Sequence, residues 1–363
     1  MFRRKKLVLV ATPLLCVLLS GGLAVAATKE MPDRSTEEAA SLSNNAVVSA
    51  NEHRYAEAID LLKRAIVLQP ELYVAHYNLG CIYEIEKNYD LAIEAFKEAL
   101  RINPNFTDAH HHLGVSYNKT DRYAEALECF TRALQLKPER VDSLCELGFS
   151  YSMLGRDQEA VNSLKEAIRI KPDSGEAYNN LGVAYYKLGQ LPDAVESLEH
   201  AHRLEPDSPD VYQNLGSIYA DAGRPKDALA SYEQALRLTT DTPAVLNNMG
   251  LIYCSLGEVD RAVEVLQRAI SLKPGMAQAH YNLGYVFSKA GRYKQAILSY
   301  NQALLLKPDF AEAHSNLAII YLRRGERALA LQQYTLLKAI DYDLAQKLFA
   351  VIYKDKILNV GGM

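Results

Sequence analysis

The sequence contains no tryptophan and only five cysteines in 363 residues. So few cysteines exclude a fold stapled by disulfides, the device of small secreted domains with insufficient cores. No Cys-x-x-Cys and no His-Glu-x-x-His occurs, so the usual zinc spacings are missing. A phosphate-binding Gly-Lys loop, a Gly-x-Ser-x-Gly nucleophile turn and a dinucleotide fingerprint are missing too. No catalytic residue, metal ligand or cofactor is therefore expected, and no small-molecule substrate. Basic charge is not in excess either: the formal net charge is −4. Nucleic acid is not an expected partner, because phosphate binding needs a concentrated basic surface.

What the sequence has instead is one word repeated. A shift of 34 residues superposes Gly80, Gly114, Gly148, Gly182, Gly216, Gly250 and Gly284, with Ala318 closing the series. Twelve residues after each stands an alanine, Ala92, Ala126, Ala160, Ala194, Ala228, Ala262, Ala296 and Ala330. Tyrosine follows the glycine by three, at Tyr83, Tyr117, Tyr151, Tyr185, Tyr219, Tyr253 and Tyr321, with Phe287 in the remaining place. Proline recurs at Pro70, Pro104, Pro138, Pro172, Pro206, Pro274 and Pro308. Nine repeats tile 39–72, 73–106, 107–140, 141–174, 175–208, 209–242, 243–276, 277–310 and 311–344, leaving no room for a second globular domain.

Glycine inside a helix costs about 1 kcal/mol relative to alanine, so seven at one position imply a close helix crossing. The recurring alanine is expected on the partner helix at that crossing, with the tyrosine beside it. A second glycine set, Gly155, Gly189, Gly223, Gly257, Gly291 and Gly325, marks the turn between helices. Proline ends the second helix. Each repeat is thus helix, turn, helix, loop.

A 34-residue helical pair with Leu-Gly, Tyr, Ala, an aromatic or Leu, Ala and Pro in that order resembles the tetratricopeptide repeat family across residues 39–344. The resemblance implies an all-α fold, a right-handed superhelical solenoid of nine helix-turn-helix repeats, with a capping helix expected at 345–358 and a loose tail at 359–363. On the capping helix Leu348, Val351 and Ile352 are expected on the buried face. The family's large aromatic at the fourth repeat position is here Leu42, His76, His110, Leu144, Tyr178, Tyr212, Leu246, His280 and His314. His110 to His112 form a run that invites a metal reading, but adjacent helical residues diverge by about 100°. His110 is instead expected to pack between repeats.

Residues 1–26 differ from the rest. "MFRRKK" is a basic start, "LVLVATPLLCVLL" an apolar run, and Ala24-x-Ala26 a cleavage pattern. An export signal is expected, followed by a linker at 27–38. The alternative is an uncleaved anchor, since Leu7 to Ala27 is nearly long enough to span a bilayer. An exported, periplasmic location is expected, or attachment to the inner membrane through this segment. Cleavage removes Arg3, Arg4, Lys5 and Lys6 and moves the formal charge from −4 to −8. In an oxidising compartment a Cys129–Cys145 bridge is conceivable.

In a curved stack of helical pairs the first helix lines the concave side. Immediately before each Leu-Gly stand Asn78, Asn180, Asn214, Asn248, Asn282 and Asn316, with Asn44 in the first copy and His112 and Glu146 interrupting. An asparagine amide offers donor and acceptor together and suits the backbone of an extended chain. The resemblance extends to the repeats of O-linked N-acetylglucosamine transferases, in which asparagines at this position hold polypeptide; the other reading is interaction within the repeat itself. Asp108, Asp142, Glu176 and Asp210 lie four residues before this row, and Lys119, Lys187, Lys289 and Arg323 seven after. Cys81, Val115, Phe149, Val183, Leu251, Tyr285 and Ile319 form an apolar floor. The expectation is a non-catalytic scaffold whose partner is a protein or peptide. Two alternatives stand beside it: an arm of a separately encoded glycosyltransferase, and a membrane-anchored assembly factor for pili or envelope complexes.

Overall fold

The computed structural model describes residues 34–239 and 242–357, with side chains through 353. The segment read as an export signal, most of the expected linker and the C-terminal tail lie outside the described residues. Nineteen α-helices and no strand occur among the described residues. They fall into two compact units divided between Pro206 and Asp207.

The N-terminal unit holds five hairpins: α1 (Arg34–Asn51) with α2 (Tyr55–Leu68), α3 (Tyr73–Ile85) with α4 (Tyr89–Ile102), α5 (Thr107–Lys119) with α6 (Tyr123–Leu136), α7 (Val141–Met153) with α8 (Asp157–Ile170), and α9 (Gly175–Lys187) with α10 (Leu191–Leu204). The C-terminal unit holds four: α11 (Pro209–Asp221) with α12 (Pro225–Leu238), α13 (Pro243–Ser255) with α14 (Val259–Leu272), α15 (Ala277–Lys289) with α16 (Tyr293–Leu306), and α17 (Ala311–Arg323) with α18 (Arg327–Ile340). α19 (Tyr342–Ile357) follows α18. Within each unit the second helix of a hairpin packs on the first helix of the next, and successive first helices touch. The first helix begins at Arg34, so the expected linker at 27–38 is helical from there on.

The glycine of the Leu-Gly pair lies under a large side chain of the second helix, with the recurring alanine at the same crossing: a Cβ on Gly182 would stand 2.7 Å from Leu198 and 3.1 Å from the Ala194 carbonyl oxygen. A Cβ on Gly80 would stand 2.6 Å from the Phe96 ring, and one on Gly250 would stand 2.5 Å from Leu266. Phe130, Leu164, Leu198, Tyr232 and Tyr300 occupy the equivalent space over Gly114, Gly148, Gly182, Gly216 and Gly284. The residue that demands glycine is therefore sixteen positions further on, where packing density leaves no room for a methyl group. The recurring alanines are fully buried beside it.

Six turns place glycine in the left-handed region, φ between 72° and 80° from Gly155 to Gly325. The first three hairpins put His53, Lys87 and Asp121 there instead, at φ of 61°, 62° and 59°. After the turn an arginine recurs. Arg122 lies 4.5 Å over the Tyr117 ring and donates to Glu125 at 2.9 Å. Arg156 repeats this over Tyr151 with Glu159, and Arg224 over Tyr219 with Asp227. The recurring tyrosine thus roofs the turn.

On α19, Ala345, Leu348 and Ile352 are buried, while Val351 is half free to solvent. The buried arc runs through positions three and four apart, and Val351 falls about 100° before Ile352, off that arc. The expectation that Val351 shares the buried face is corrected accordingly.

Candidate binding face on the first helices

The residues before each Leu-Gly share one side of the first helices. Asn78, Asn180, Asn214, Asn282 and His112 are buried, and Asn248 and Asn316 are half-buried. Three of the amides are bonded backwards to the preceding repeat. Asn282 Nδ2 donates to Asn247 Oδ1 at 2.7 Å, and Asn316 Nδ2 to the Tyr281 hydroxyl at 2.9 Å. Asn248 Nδ2 donates to the Tyr232 hydroxyl at 3.2 Å. Asn180 Oδ1 accepts from its neighbour Asn179 at 3.2 Å, and Asn282 Oδ1 from Gln278 at 3.1 Å. The row is therefore a set of ties between hairpins as well as a row of amides.

In two repeats of the N-terminal unit the same position is held by His112 and Glu146 instead of asparagine. His112 Nδ1 donates to Glu84 Oε2 at 2.9 Å, and Ser116 Oγ donates to Glu84 Oε1 at 3.2 Å, joining α5 to α3. Glu146, which interrupts the asparagine row, accepts from Asn118 Nδ2 at 2.8 Å. Ser150 Oγ donates to Asn118 Oδ1 at 2.8 Å. His111 Nδ1 pairs with Ser143 Oγ at 2.9 Å. All of these side chains are buried, and each buried carboxylate is bonded, as burial requires. Burial, together with neighbouring His112 and Arg140, holds His111 well below the usual histidine pKa.

Beside these ties lie the other residues singled out by spacing. Cys81, Val115 and Val183 are buried, while Phe149, Leu251, Tyr285 and Ile319 are half-buried between the polar positions. Of the acidic edge, Asp108 pairs with Arg140. Asp142 is exposed, Glu176 and Asp210 are half-buried, and burial raises the Asp210 pKa. Lys187 reaches back to the preceding repeat, donating to the Ser152 carbonyl at 2.6 Å and its hydroxyl at 2.9 Å. Burial lowers its pKa, against the pull of Asp157. Lys119, Lys289 and Arg323 are exposed.

The histidines at the fourth repeat position have a role that spacing did not reveal. His76, His110, His280 and His314 each direct Nε2 at the carbonyl of the proline six residues earlier, at 2.9, 2.9, 3.1 and 2.9 Å. They clasp the loop that enters the helix, where a carbonyl has no helical partner. The recurring Pro-x5-His spacing carries the signal, and the acceptor being backbone hides it. No group of three potential ligands suited to a metal ion occurs among the described residues. Cys129 and Cys145 are separate buried thiols, so the conceivable bridge between them is not formed. Burial pushes the Cys129 thiol up to about 12.

Family models agree with this architecture. One described as the C-terminal domain of cilia and flagella-associated protein 70 matches residues 107–288, half of the chain. The tetratricopeptide repeat model matches 73–106, and a TPR repeat model 285–325. The chain belongs to the tetratricopeptide repeat family. Among solved structures, the APC/C hetero-tetramer Cut9–Hcn1 is similar at 18% identity and a TM-score of 0.57, over 86% of this chain and 76% of that one. A tetratricopeptide repeat protein from Parabacteroides merdae gives 18% and 0.57, over 73% and 100%. PilF of Pseudomonas aeruginosa gives 22% and 0.51, over 58% and 96%. At these identities the likeness concerns the fold. No curated protein matches the sequence. As a tetratricopeptide repeat chain it belongs to a fold typical of protein–protein interaction scaffolds.

Proposed function

We propose that this tetratricopeptide repeat chain is a non-catalytic scaffold, exported from the cytoplasm, that holds an extended polypeptide along its first helices. The observation that carries the reading is the recurrence of side-chain amides at one position, alternating with apolar side chains such as Leu251, Tyr285 and Ile319. An amide has capacity for about four hydrogen bonds, and the bond from Asn248 or Asn316 to a tyrosine hydroxyl uses one donor. A backbone is bound by such groups without regard to its side chains, and many weak bonds add along its length. Exposed Asp142 favours a segment carrying lysine or arginine nearby. Export is supported by the basic, apolar and Ala-x-Ala pattern of residues 1–26.

The test is binding of the full chain to an array of unstructured peptides, compared with N248A/N316A. Affinity is expected to fall roughly tenfold while the unfolding midpoint moves only a few degrees. Unchanged affinity, or a collapse of folding in parallel with binding, overturns the reading. For export, a new N-terminus at Ala27 in envelope material is expected; cytosolic material starting at Met1 overturns that part.

A further inference from the structure

The second helices of the hairpins differ in a way that peptide capture does not use. α2, α4, α6, α8, α10, α12 and α14 each carry at least two carboxylates, such as Glu57 and Asp60 or Asp260 and Glu264. α16 and α18 carry none, and their only charges are Lys294, Arg327 and Lys338. Carboxylates flank them: Asp309 and Glu312 follow α16, Glu326, paired with Arg324 at 2.8 Å, directly precedes α18, and Asp341 and Asp343 lie at the corner into α19.

The same two helices project leucine. Leu298 and Leu305 are 71% and 74% exposed, and Leu329 and Leu336 are 41% and 46% exposed. Residues seven apart are two helical turns apart, so each pair forms one line along its helix. On α16 the buried side is set by Ala296, Tyr300 and Ala303. Leu298 lies about 200° around from Ala296, directly outward. α19 repeats the seven-residue spacing with Tyr342 and Phe349, 58% and 38% exposed. Arg327 lies 5.0 Å over the Tyr353 ring at the edge of this surface.

Loss of every carboxylate and gain of outward leucine are independent changes, and they fall on the same pair of helices. A leucine more than two-thirds free of its neighbours does not line a groove for a partner's anchor residue. It is a knob, and a fluid apolar phase receives it without a matching hole. We infer that the outer face of α16 and α18, edged by the aromatic side chains of α19, rests on a bilayer containing anionic lipid. The leucines enter the acyl boundary, Lys294, one turn before Leu298 on the same side of α16, meets the anionic headgroups, and Tyr342 and Phe349 sit at the interface. This is a contact lying on the membrane; no described helix is long and apolar enough to cross one.

The experiment pellets the full chain with phosphatidylcholine vesicles, with and without phosphatidylglycerol, beside the chain carrying L298Q, L305Q, L329Q and L336Q. Residues 1–26 are common to both proteins, so their own lipid affinity cancels in the difference. The variant is expected to lose vesicle binding by roughly tenfold or more at unchanged helicity. K294E is expected to lose only the phosphatidylglycerol-dependent part. Equal pelleting of parent and leucine variant overturns the inference. So does a lipid-free dimer of the parent that the leucine variant abolishes, since that assigns the surface to a second copy of the chain.

Discussion

The two units solve one problem with different chemistry. Where the first helices of neighbouring hairpins meet, repeats two to four of the N-terminal unit use carboxylate, imidazole and hydroxyl, as in Glu84–His112–Ser116 and Asn118–Glu146. Repeats six to nine of the C-terminal unit use neutral amides and phenols, as in Asn247–Asn282 and Tyr281–Asn316. The fold accepts both because its demand is that buried polar groups be bonded, whichever groups they are. The difference lies in how each set of ties responds to loss of a partner and to acid.

The largest expected effect comes from removing one partner. Glu84→Ala strands His112 and Ser116 in buried surroundings, and a loss of about 3 kcal/mol is expected in urea unfolding. Asn282→Ala leaves a neutral group unpaired and is expected to cost about 1–2 kcal/mol. Equal losses would erase the contrast between charged and neutral ties.

Acid sharpens it further. His111 has its pKa held down in the folded state, so it stays neutral while the unfolded chain takes up a proton below about 6.5. The unfolded state then binds more protons, and the stability of the N-terminal unit falls as pH drops through that value and continues down to the folded pKa. A single proton contributes at most about 1.4 kcal/mol per pH unit. His110, also lowered by burial, acts in the same direction. In the C-terminal ties, burial pushes Tyr281 and Tyr232 up to about 12, far above this window. Unfolding midpoints measured from pH 7 to 5 are expected to slope for the N-terminal unit and flatten in H111N; a slope unchanged by H111N excludes His111 as its source.

The smallest effect concerns the turns. Lys87 adopts a backbone conformation that the later hairpins give to glycine. Lys87→Gly is expected to gain up to about 1 kcal/mol, and Gly291→Lys to lose about as much. A loss at both positions would show that the early turns have adapted to their side chains.

The hairpins were legible because a 34-residue period combines two helical faces, a turn and a proline stop in one unit. The turns of the later hairpins followed from the glycines and prolines, whereas α1 begins at Arg34 inside the expected linker, α19 begins at Tyr342 rather than at 345, and Val351 turns outward. The asparagine row was legible as a position, but its bonds were not. Asn282 and Asn247 are 35 residues apart and Glu84 and His112 are 28 apart, and no spacing rule within one helix reaches across such distances. The Phe96 ring over Gly80 was hidden in a similar way: the glycine announces a close approach without naming what approaches. The glycine-free turns at His53, Lys87 and Asp121 escaped notice because the recurring glycine is missing there and three different residue types replace it, although histidine and aspartate enter the left-handed region more readily than most.

The different chemistry of the inter-hairpin bonds at the two ends makes shortening the chain an asymmetric operation. Deleting the hairpin α17–α18 deprives Tyr281 of one amide donor, a vacancy at a phenol that water fills readily. Deleting α1 to α4 removes Glu84, so that the His112 imidazole and the Ser116 hydroxyl exchange a carboxylate partner for water. Trimmed versions of this protein should therefore tolerate erosion from the C-terminal side better than from the N-terminal side, and a minimal fragment is best sought by working inward from α19.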